Sequence, residues 1–465
     1  MASFTAAEVV QATGATQVRA GGAAPFSAVC TDSRQLAKGC LFVALKGERF
    51  DAHDFLAQVV ADGAAGVVVA AGRGSAVPAG PVAVFEVAGT LAALGQLARF
   101  HRERFHVPIG AVTGSNGKTT TKELVASILA MRGPALRTQG NLNNEIGVPL
   151  TLFGLESRHV AAVVEMGMNH PGEIARLTEI ARPDAGLITI VQPAHLEGVG
   201  SIEGVARAKG ELFHGLGPDA TAVVNLDDAR IAAQAQGLSA RTLTYGRHAD
   251  AQVRLVSVES QGREGLSLRI ATRGREHEVA LRLVGDHNAM NATGAFALAL
   301  ALGYSPEECV RGLEAASAHA RRLQVVDAPG GVTVVDDCYN ANPASVLAAL
   351  RTVQELASDG RAVAVLGDML ELGADEARGH AEVVVDASNR VARLALFGPR
   401  MKSAVGLAEK KLGPAARHFD DVGELVGWLR GELQRDDVVL VKGSRGMRLE
   451  RVVEALTGTS AGGGH

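Results

Sequence analysis

The sequence predicts an α/β protein of three domains: a small N-terminal α/β domain over residues 1–88, a central P-loop parallel-sheet domain over 89–320, and a C-terminal Rossmann-like α/β domain over 321–465. Three observations carry this reading. Short apolar runs recur along the chain, separated by helical stretches, which is the rhythm of parallel strands with crossover helices. One run leads through a glycine-rich turn into a helix that begins Lys-Thr-Thr. And 465 residues accommodate about three domains of roughly 150 residues each.

In the N-terminal domain, MASFTAAEVVQATG lacks a basic leader, and Glu8 interrupts its apolar residues, so it reads as a capped helix and not a signal peptide. Arg73 closes the longest Ala/Val stretch before it reaches the roughly 18 residues of a membrane span. The chain is therefore expected to be soluble and cytoplasmic. The segment TDSRQLAKGCLFVALKGERFDAHDF clusters polar residues around the strand LFVAL. Asp32, Ser33, Arg34 and Lys46 have the chemistry to hold a phosphate-bearing ligand. The domain ends near the turn at Pro78 and Pro81.

The central domain opens on VPIGAVTGSNGKTTTKELVASIL. Val107, Ile109 and Val112 form a buried strand, and Leu124, Val125, Ile128 and Leu129 recur at helical spacing. Between them Gly114, Ser115, Asn116 and Gly117 form a turn whose glycines let backbone approach an anion closely. A helix N-terminus with free N–H groups is a phosphate site. Lys118 adds a charge for the β- and γ-phosphates, Thr119 a hydroxyl for Mg²⁺, and Thr120 ends the run of backbone N–H groups that opens the helix. Val112 stands where the longer P-loop pattern has a glycine, so this is the shorter G-x-x-G-K-T-T form. The motif predicts binding of a nucleoside triphosphate.

Further along, VAAVVEMG, LITIVQ and TAVVNLD read as buried strands. Glu165 ends the first, well placed for Mg²⁺. The loop PAHLEGVGS presents His195 and Glu197 at the end of the second. Lys209 lies on a helix, where the residues alone favour a solvated lysine. Residues 250–284 alternate apolar and polar, as an antiparallel hairpin would, and a helix follows from about His287 to Leu302. Arg321 and Arg322, at the next junction, could reach phosphates across a cleft or cap a helix.

VTVVDD, AVAVLGD, RLALFG and DVVLVKG then give four buried strands of a doubly wound sheet, whose ligands meet the carboxyl ends of the strands. Asp336 and Asp337 precede the turn Tyr339-Asn340-Ala341-Asn342-Pro343, a ligand contact or a plain turn. Lys442, Ser444 and Arg445 offer donors to an anion. The glycine-rich tail TGTSAGGGH is expected to be disordered.

Composition narrows the function classes. Forty-six Lys and Arg against 50 Asp and Glu, with 4% aromatics, supply neither the basic surface nor the stacking rings that nucleic acid asks for. Cys30, Cys40, Cys309 and Cys338 show no zinc-ligand spacing and read as reduced thiols.

GSNGKTT, GNLNNEIGVPLTL, VVEMGMNHPGEI, AHLEGVGS with AKGE, GDHNAMNA, RRLQVV, DDCYNANPAS, LGDMLELG and VKGSRGMRLE, in this order, resemble the Mur ligase family over nearly the whole chain. The Tyr-Asn-Ala-Asn-Pro turn, LGDMLELG and the missing Asp-Asn-Pro-Arg motif resemble the member that joins D-alanyl-D-alanine to UDP-N-acetylmuramoyl-tripeptide. The resemblance implies a cytoplasmic, monomeric, ATP- and Mg²⁺-dependent ligase of peptidoglycan precursor synthesis that forms an acyl phosphate. It implies a carbamylated Lys209, whose oxygens would ligate Mg²⁺ with Thr119, Glu165 and His195. It places Asn288 near adenine, and Arg322 and Asp336 near the ribose and phosphates. It assigns Asp32, Ser33, Arg34 and Lys46 to the uridine diphosphate end. Asn144 would turn towards the active site, and Tyr339, Asn340 and Asn342 towards the dipeptide or the closing cleft. Where many relatives carry a second histidine, this chain has Gly198. Competing readings are the ligase that adds the third residue to the muramoyl dipeptide and, from another class, a regulatory P-loop ATPase. Folylpolyglutamate synthetase is more distant.

Overall fold

The computed structural model describes residues 2–193, 196–358 and 360–458. His195 and the tail beyond Gly458 lie outside them, as do the side chains of Leu196, Glu197 and Ala374.

The chain opens with the expected capped helix, Ala6–Thr13. Glu8 N–H donates to the Thr5 hydroxyl at 3.2 Å, and Thr5 N–H donates to the Glu8 carboxylate at 2.7 Å. This reciprocal pairing satisfies two otherwise orphaned donors. Five strands follow: β1 (Thr16–Arg19), β2 (Val29–Cys30), β3 (Leu41–Val43), β4 (Gly66–Ala70) and β5 (Ala83–Val87). They form a sheet of order β1-β5-β4-β3-β2, parallel except for β1.

Nine strands build the central sheet: β6 (Ile109–Thr113), β7 (Ala135–Arg137), β8 (Ala161–Glu165), β9 (Ala185–Ile188), β10 (Thr221–Asn225), β11 (Arg241–Gly246), β12 (Val253–Ser260), β13 (Leu266–Thr272) and β14 (Arg275–Leu281). Their order is β14-β13-β12-β11-β10-β9-β6-β8-β7. From β6 the chain runs to β7 and β8 on one side and then to β9 on the other. The glycine-rich turn after β6 therefore leaves the sheet at a topological switch point, where α/β sheets open a crevice for ligand. The expected hairpin has a third strand. β14 pairs antiparallel with β13 along Arg275–Leu281, and its REHEVAL sequence carries charges that hide the alternation.

The C-terminal sheet has six strands: β15 (Gln324–Ala328), β16 (Val332–Asp336), β17 (Ala362–Gly367), β18 (Arg393–Phe397), β19 (Ala416–Phe419) and β20 (Val438–Lys442), in the order β15-β16-β20-β17-β18-β19. The four expected strands are its centre. The two unforeseen ones are its edges, half-buried β15, antiparallel, and four-residue β19.

An apolar cluster runs without a break from Phe4 through Phe85 and Leu97 to Ala111 and Leu177, joining the first two sheets through the helix Thr90–Arg102. The C-terminal sheet has its own cores on its two faces, and Val284 is the one central-region residue among them. No helix among the described residues is long and apolar enough to cross a membrane.

Candidate active site

The turn after β6 is shaped by two glycines no other residue could replace in place. Gly117 has φ +79°, and a Cβ there would lie 2.3 Å from Asn291 Oδ1; Gly114 has φ +148°, and a Cβ would lie 1.8 Å from Thr189 Oγ1. The helix Lys118–Leu129 starts directly behind them. Ser115 N–H donates to Ile190 O and its hydroxyl to Gln192 O, each at 2.8 Å, which ties the loop to the segment after β9. Lys118 Nζ curls back to donate to Gly114 O at 2.8 Å, and desolvation holds its ammonium below the usual range against the pull of Glu165.

Around this loop the structure opens a cavity of about 1340 Å³ between the central and C-terminal sheets. Glu165, at the end of β8, is 2% exposed. Its Oε2 accepts from Thr119 Oγ1 at 2.9 Å and its Oε1 from Asn143 Nδ2 at 2.8 Å. Lys209, on the helix Ile202–His214, is not solvated as the residues alone suggested; it is 1% exposed. Burial, and then repulsion from the Lys118 ammonium, hold its amine well below the ordinary lysine range. A buried neutral amine is a nucleophile, which an ammonium is not.

Arg322 enters from the C-terminal side. The residues on either side of it, Arg321 and Leu323, have φ +65° and +49°, strained for side chains with a Cβ and consistent with a junction held under constraint. Arg322 Nη2 donates to Thr119 Oγ1 at 3.1 Å, and its guanidinium lies 4.1 Å from the centroid of the Tyr339 ring. Its buried Nε has no acceptor among the described residues, a donor left free for an anion. Asp336, 7% exposed, has its carboxyl pushed up by burial.

The turn Tyr339–Pro343 is braced from behind. Lys442 Nζ donates to Asp337 Oδ2 at 2.5 Å and to Asn340 O at 3.0 Å, and Ser444 Oγ donates to Ala341 O at 3.4 Å while accepting from Leu370 N–H at 2.8 Å. Lys442 and Ser444 thus hold the turn, and Lys442 and Arg445 line the cavity. Asn288 lines it too, and its amide donates to Val284 O at 2.8 Å and accepts from Asn291 Nδ2 at 2.9 Å. Asn144 also borders the cavity, with its Oδ1 accepting from Gly147 N–H at 2.8 Å where the helix Gly147–Leu152 begins.

Asp32, Ser33, Arg34 and Lys46 are absent from the cavity lining. They follow β2 and β3, which are parallel neighbours, so both loops emerge at one edge of the first sheet. Arg34 forks onto Asp32 at 2.9 and 2.7 Å and holds its carboxyl down to about 2.

Asn143, Thr189, Gln192 and Asn291 were not anticipated. Asn143 lies in an asparagine-rich stretch whose composition announces a turn, and Asn291 lies on the helix His287–Ala301; neither stretch hints at which amide faces inward. Gly198 has a physical reason: a Cβ there would lie 2.0 Å from Asn169 O, so a histidine would not fit this loop path.

Among the described residues no group of three or more His, Cys, Asp or Glu side chains is arranged to hold a metal. Glu165 and the Thr119 hydroxyl nevertheless converge. Mg²⁺ keeps several waters and takes one or two protein oxygens beside substrate phosphates. The donor set fits Mg²⁺ carried by a nucleotide and does not fit a stand-alone metal cage.

Three family models match in register: "Mur ligase family, catalytic domain" over residues 25–102, "Mur ligase middle domain" over 112–299 and "Mur ligase, glutamate ligase domain" over 321–445. The chain is 36% identical over 435 residues to the UDP-N-acetylmuramoyl-tripeptide–D-alanyl-D-alanine ligase of Bacillus subtilis (strain 168), covering 92% of each protein. It superimposes on a crystal structure of MurF from Acinetobacter baumannii with a TM-score of 0.89 and 34% identity, over 99% of this chain and 100% of that one. Against the MurF ligase of Thermotoga maritima in complex with ADP the TM-score is 0.81 and the identity 28%, over 92% and 97%.

Proposed function

The chain belongs to the Mur ligase family, and on that premise we propose that it is the ATP-dependent ligase that adds D-alanyl-D-alanine to UDP-N-acetylmuramoyl-tripeptide in peptidoglycan precursor synthesis, a reaction we place in the cytoplasm. The observation that carries the chemistry is the convergence, in one cavity, of a phosphate loop, the buried pair Glu165 and Thr119, and Arg322 arriving from the other domain.

A carboxylate does not acylate an amine at neutral pH, because its oxygen is a poor leaving group. In our reading the tripeptide carboxylate attacks the γ-phosphorus of ATP and ADP leaves. The amine of the dipeptide then attacks the acyl phosphate, forming the amide and expelling phosphate. Phosphoryl transfer of this kind depends on positioning and charge neutralisation. The N–H groups of Gly114–Thr120 would cradle the phosphates, Lys118 would leave Gly114 O for them, and the free Arg322 Nε would meet the transferring charge. Mg²⁺, when bound, neutralises phosphate oxygens. Thr119 and Glu165 would hold it, with Lys209 as a third ligand once its neutral amine has taken up carbon dioxide as a carbamate, and with His195. Residues 1–88 would present the uridine diphosphate end through Asp32, Ser33, Arg34 and Lys46, 89–320 the ATP, and 321–465 the lid that excludes water. Tyr339 and Asn340 would face the dipeptide.

The test is phosphate release from ATP and Mg²⁺ with UDP-N-acetylmuramoyl-tripeptide, with and without D-alanyl-D-alanine, together with the mass of the nucleotide product. We expect release to require both substrates and the product to gain one dipeptide. Release indifferent to the dipeptide would refute the assignment.

A further inference from the structure

Asn116 is the residue of the phosphate loop that neither glycine geometry nor phosphate charge explains, and its side chain crosses to the other domain. Asn342 Nδ2 donates to Asn116 Oδ1 at 2.9 Å, and Asn116 Nδ2 in turn faces Asn342 Oδ1 at 3.3 Å and Gln192 Oε1 at 2.5 Å. The orientation of the Asn342 amide is fixed. Its Oδ1 accepts from Ser345 N–H at 2.9 Å, capping the helix Pro343–Leu356, and a backbone N–H can only donate. Nδ2 must therefore point at the phosphate loop. One side chain starts a C-terminal helix with one end and grips the loop with the other.

We propose that the Asn116–Asn342 amide pair is a closure latch, a positioning contact that holds the C-terminal domain over the phosphate loop while the acyl phosphate exists. This rests on the ligase reading above. With the latch weakened, the cleft opens to solvent during the lifetime of the intermediate. Water oxygen then attacks the acyl carbon, the bond from that carbon to the phosphate oxygen breaks, and phosphate leaves. The carboxylate is regenerated with loss of a proton, for a net conversion of ATP and water to ADP and phosphate. The signature is uncoupling, which damage to the fold alone does not produce.

Asn342→Asp and Asn342→Ser separate the two jobs of the side chain. Asp and Ser are both good N-caps. Asp keeps the acceptor and loses the donor to Asn116, whereas Ser is neutral and too short to span the gap. For both variants we expect dipeptide-independent phosphate release, in the presence of the tripeptide substrate, to rise about fivefold or more, and coupled product formation to fall about tenfold, the scale of a lost and unreplaced hydrogen bond. Melting temperatures should stay at the wild-type value. Adding Asn116→Ser to Asn342→Ser should cause little further uncoupling, because the two act through one contact.

Wild-type coupling in both variants would overturn the latch. So would uncoupling in the Asp variant alone, which would mark a charge effect on nucleotide, or a shared fall in melting temperature, which would mark a structural cap. Wild-type phosphate release as fast without the dipeptide as with it would refute the ligase reading itself, and the latch with it.

Discussion

The Thr119 hydroxyl has one proton and two lone pairs. It donates to Glu165 Oε2 at 2.9 Å and accepts from Arg322 Nη2 at 3.1 Å. Glu165 is likewise occupied on both oxygens, by Thr119 and by Asn143. Glutamine at 165 has nearly the same shape and keeps one acceptor, so it removes charge more than structure. We expect Glu165→Gln to lower kcat on the order of a hundredfold, the scale of losing one preorganised electrostatic group. Its half-saturating Mg²⁺ concentration should rise, and the KM for D-alanyl-D-alanine should hold steady. Phosphate release titrated with Mg²⁺ checks this, and an unchanged Mg²⁺ dependence would take Glu165 away from the metal. The place of Glu165 in the cavity was legible in the sequence, because a carboxylate at the end of a buried strand beside the phosphate-loop strand must face that loop. Lys209 was not legible from the residues alone, since a helical lysine is usually solvated and only the tertiary packing of the helix Ile202–His214 removes its water. The amide of Asn143 was hidden for a similar reason, because its partner is 22 residues distant in sequence.

At the scale of elements, buried central strands and capped helices were readable, and edges were not. A strand buried on both faces writes a continuous apolar run, as β16, β17 and β20 do. An edge strand such as β15, or a ribbon strand such as β14, is half solvated and its sequence is correspondingly mixed. Caps are local and need no tertiary information. The helix Pro306–Ala315 shows what a cap can do beyond its own turn: Ser305 and Glu308 form the reciprocal pairing, and Glu308 also takes a forked contact from Arg132 at 2.7 and 2.6 Å. The Arg132 guanidinium in turn lies 3.9 Å from the Tyr304 ring centroid. This fork, and then the Ser305 N–H, hold the Glu308 carboxyl down to about 2 from an ordinary 4.5. A carboxyl lowered on folding stabilises the fold above its unfolded value, and that stabilisation is lost as pH falls from about 4.5 towards about 2. Because the pair is partly solvated, its contribution is about 1 kcal/mol or less. Glu308→Gln should therefore lose that increment at pH 7 and match wild type near pH 2, measured by denaturant unfolding at the two pH values. Equal stability of the two proteins at pH 7 would show that the fork contributes nothing.

For the whole molecule, the distribution of apolar contact decides which domain moves. The first two sheets share one unbroken core, whereas the third meets the central sheet through polar contacts such as Asn116–Asn342 and Arg322–Thr119. Polar contacts exchange readily with water and ligand; a shared core does not. The N-terminal and central sheets should therefore behave as one body and the C-terminal sheet as a second. The seam of the first body is an aromatic cluster. The Phe4 ring lies 6.3 Å from Phe100, 6.1 Å from Phe153 and 6.1 Å from His101, with the Arg104 guanidinium 4.7 Å from its centroid. His101, 3% exposed, shares a hydrogen bond of 3.1 Å between Nε2 and Leu155 O, and its buried Nδ1 has no partner among the described residues. Burial pushes its pKa from 6.5 to about 4. The unfolded chain thus binds a proton that the folded one refuses, and stability at this site is lost as pH falls from about 6.5 towards about 4. Calorimetry should resolve two transitions. Phe4→Ala, at a cost of about 3–5 kcal/mol for a buried ring, should lower the one that carries both the N-terminal and the central sheet and leave the other in place. Acidification from pH 7 to pH 5 should lower the same transition, and His101→Leu should blunt that response. A Phe4→Ala protein whose N-terminal domain melts alone, ahead of an unmoved central domain, would show that the shared core does not couple them, and the lid would then have to be sought at both ends of the chain.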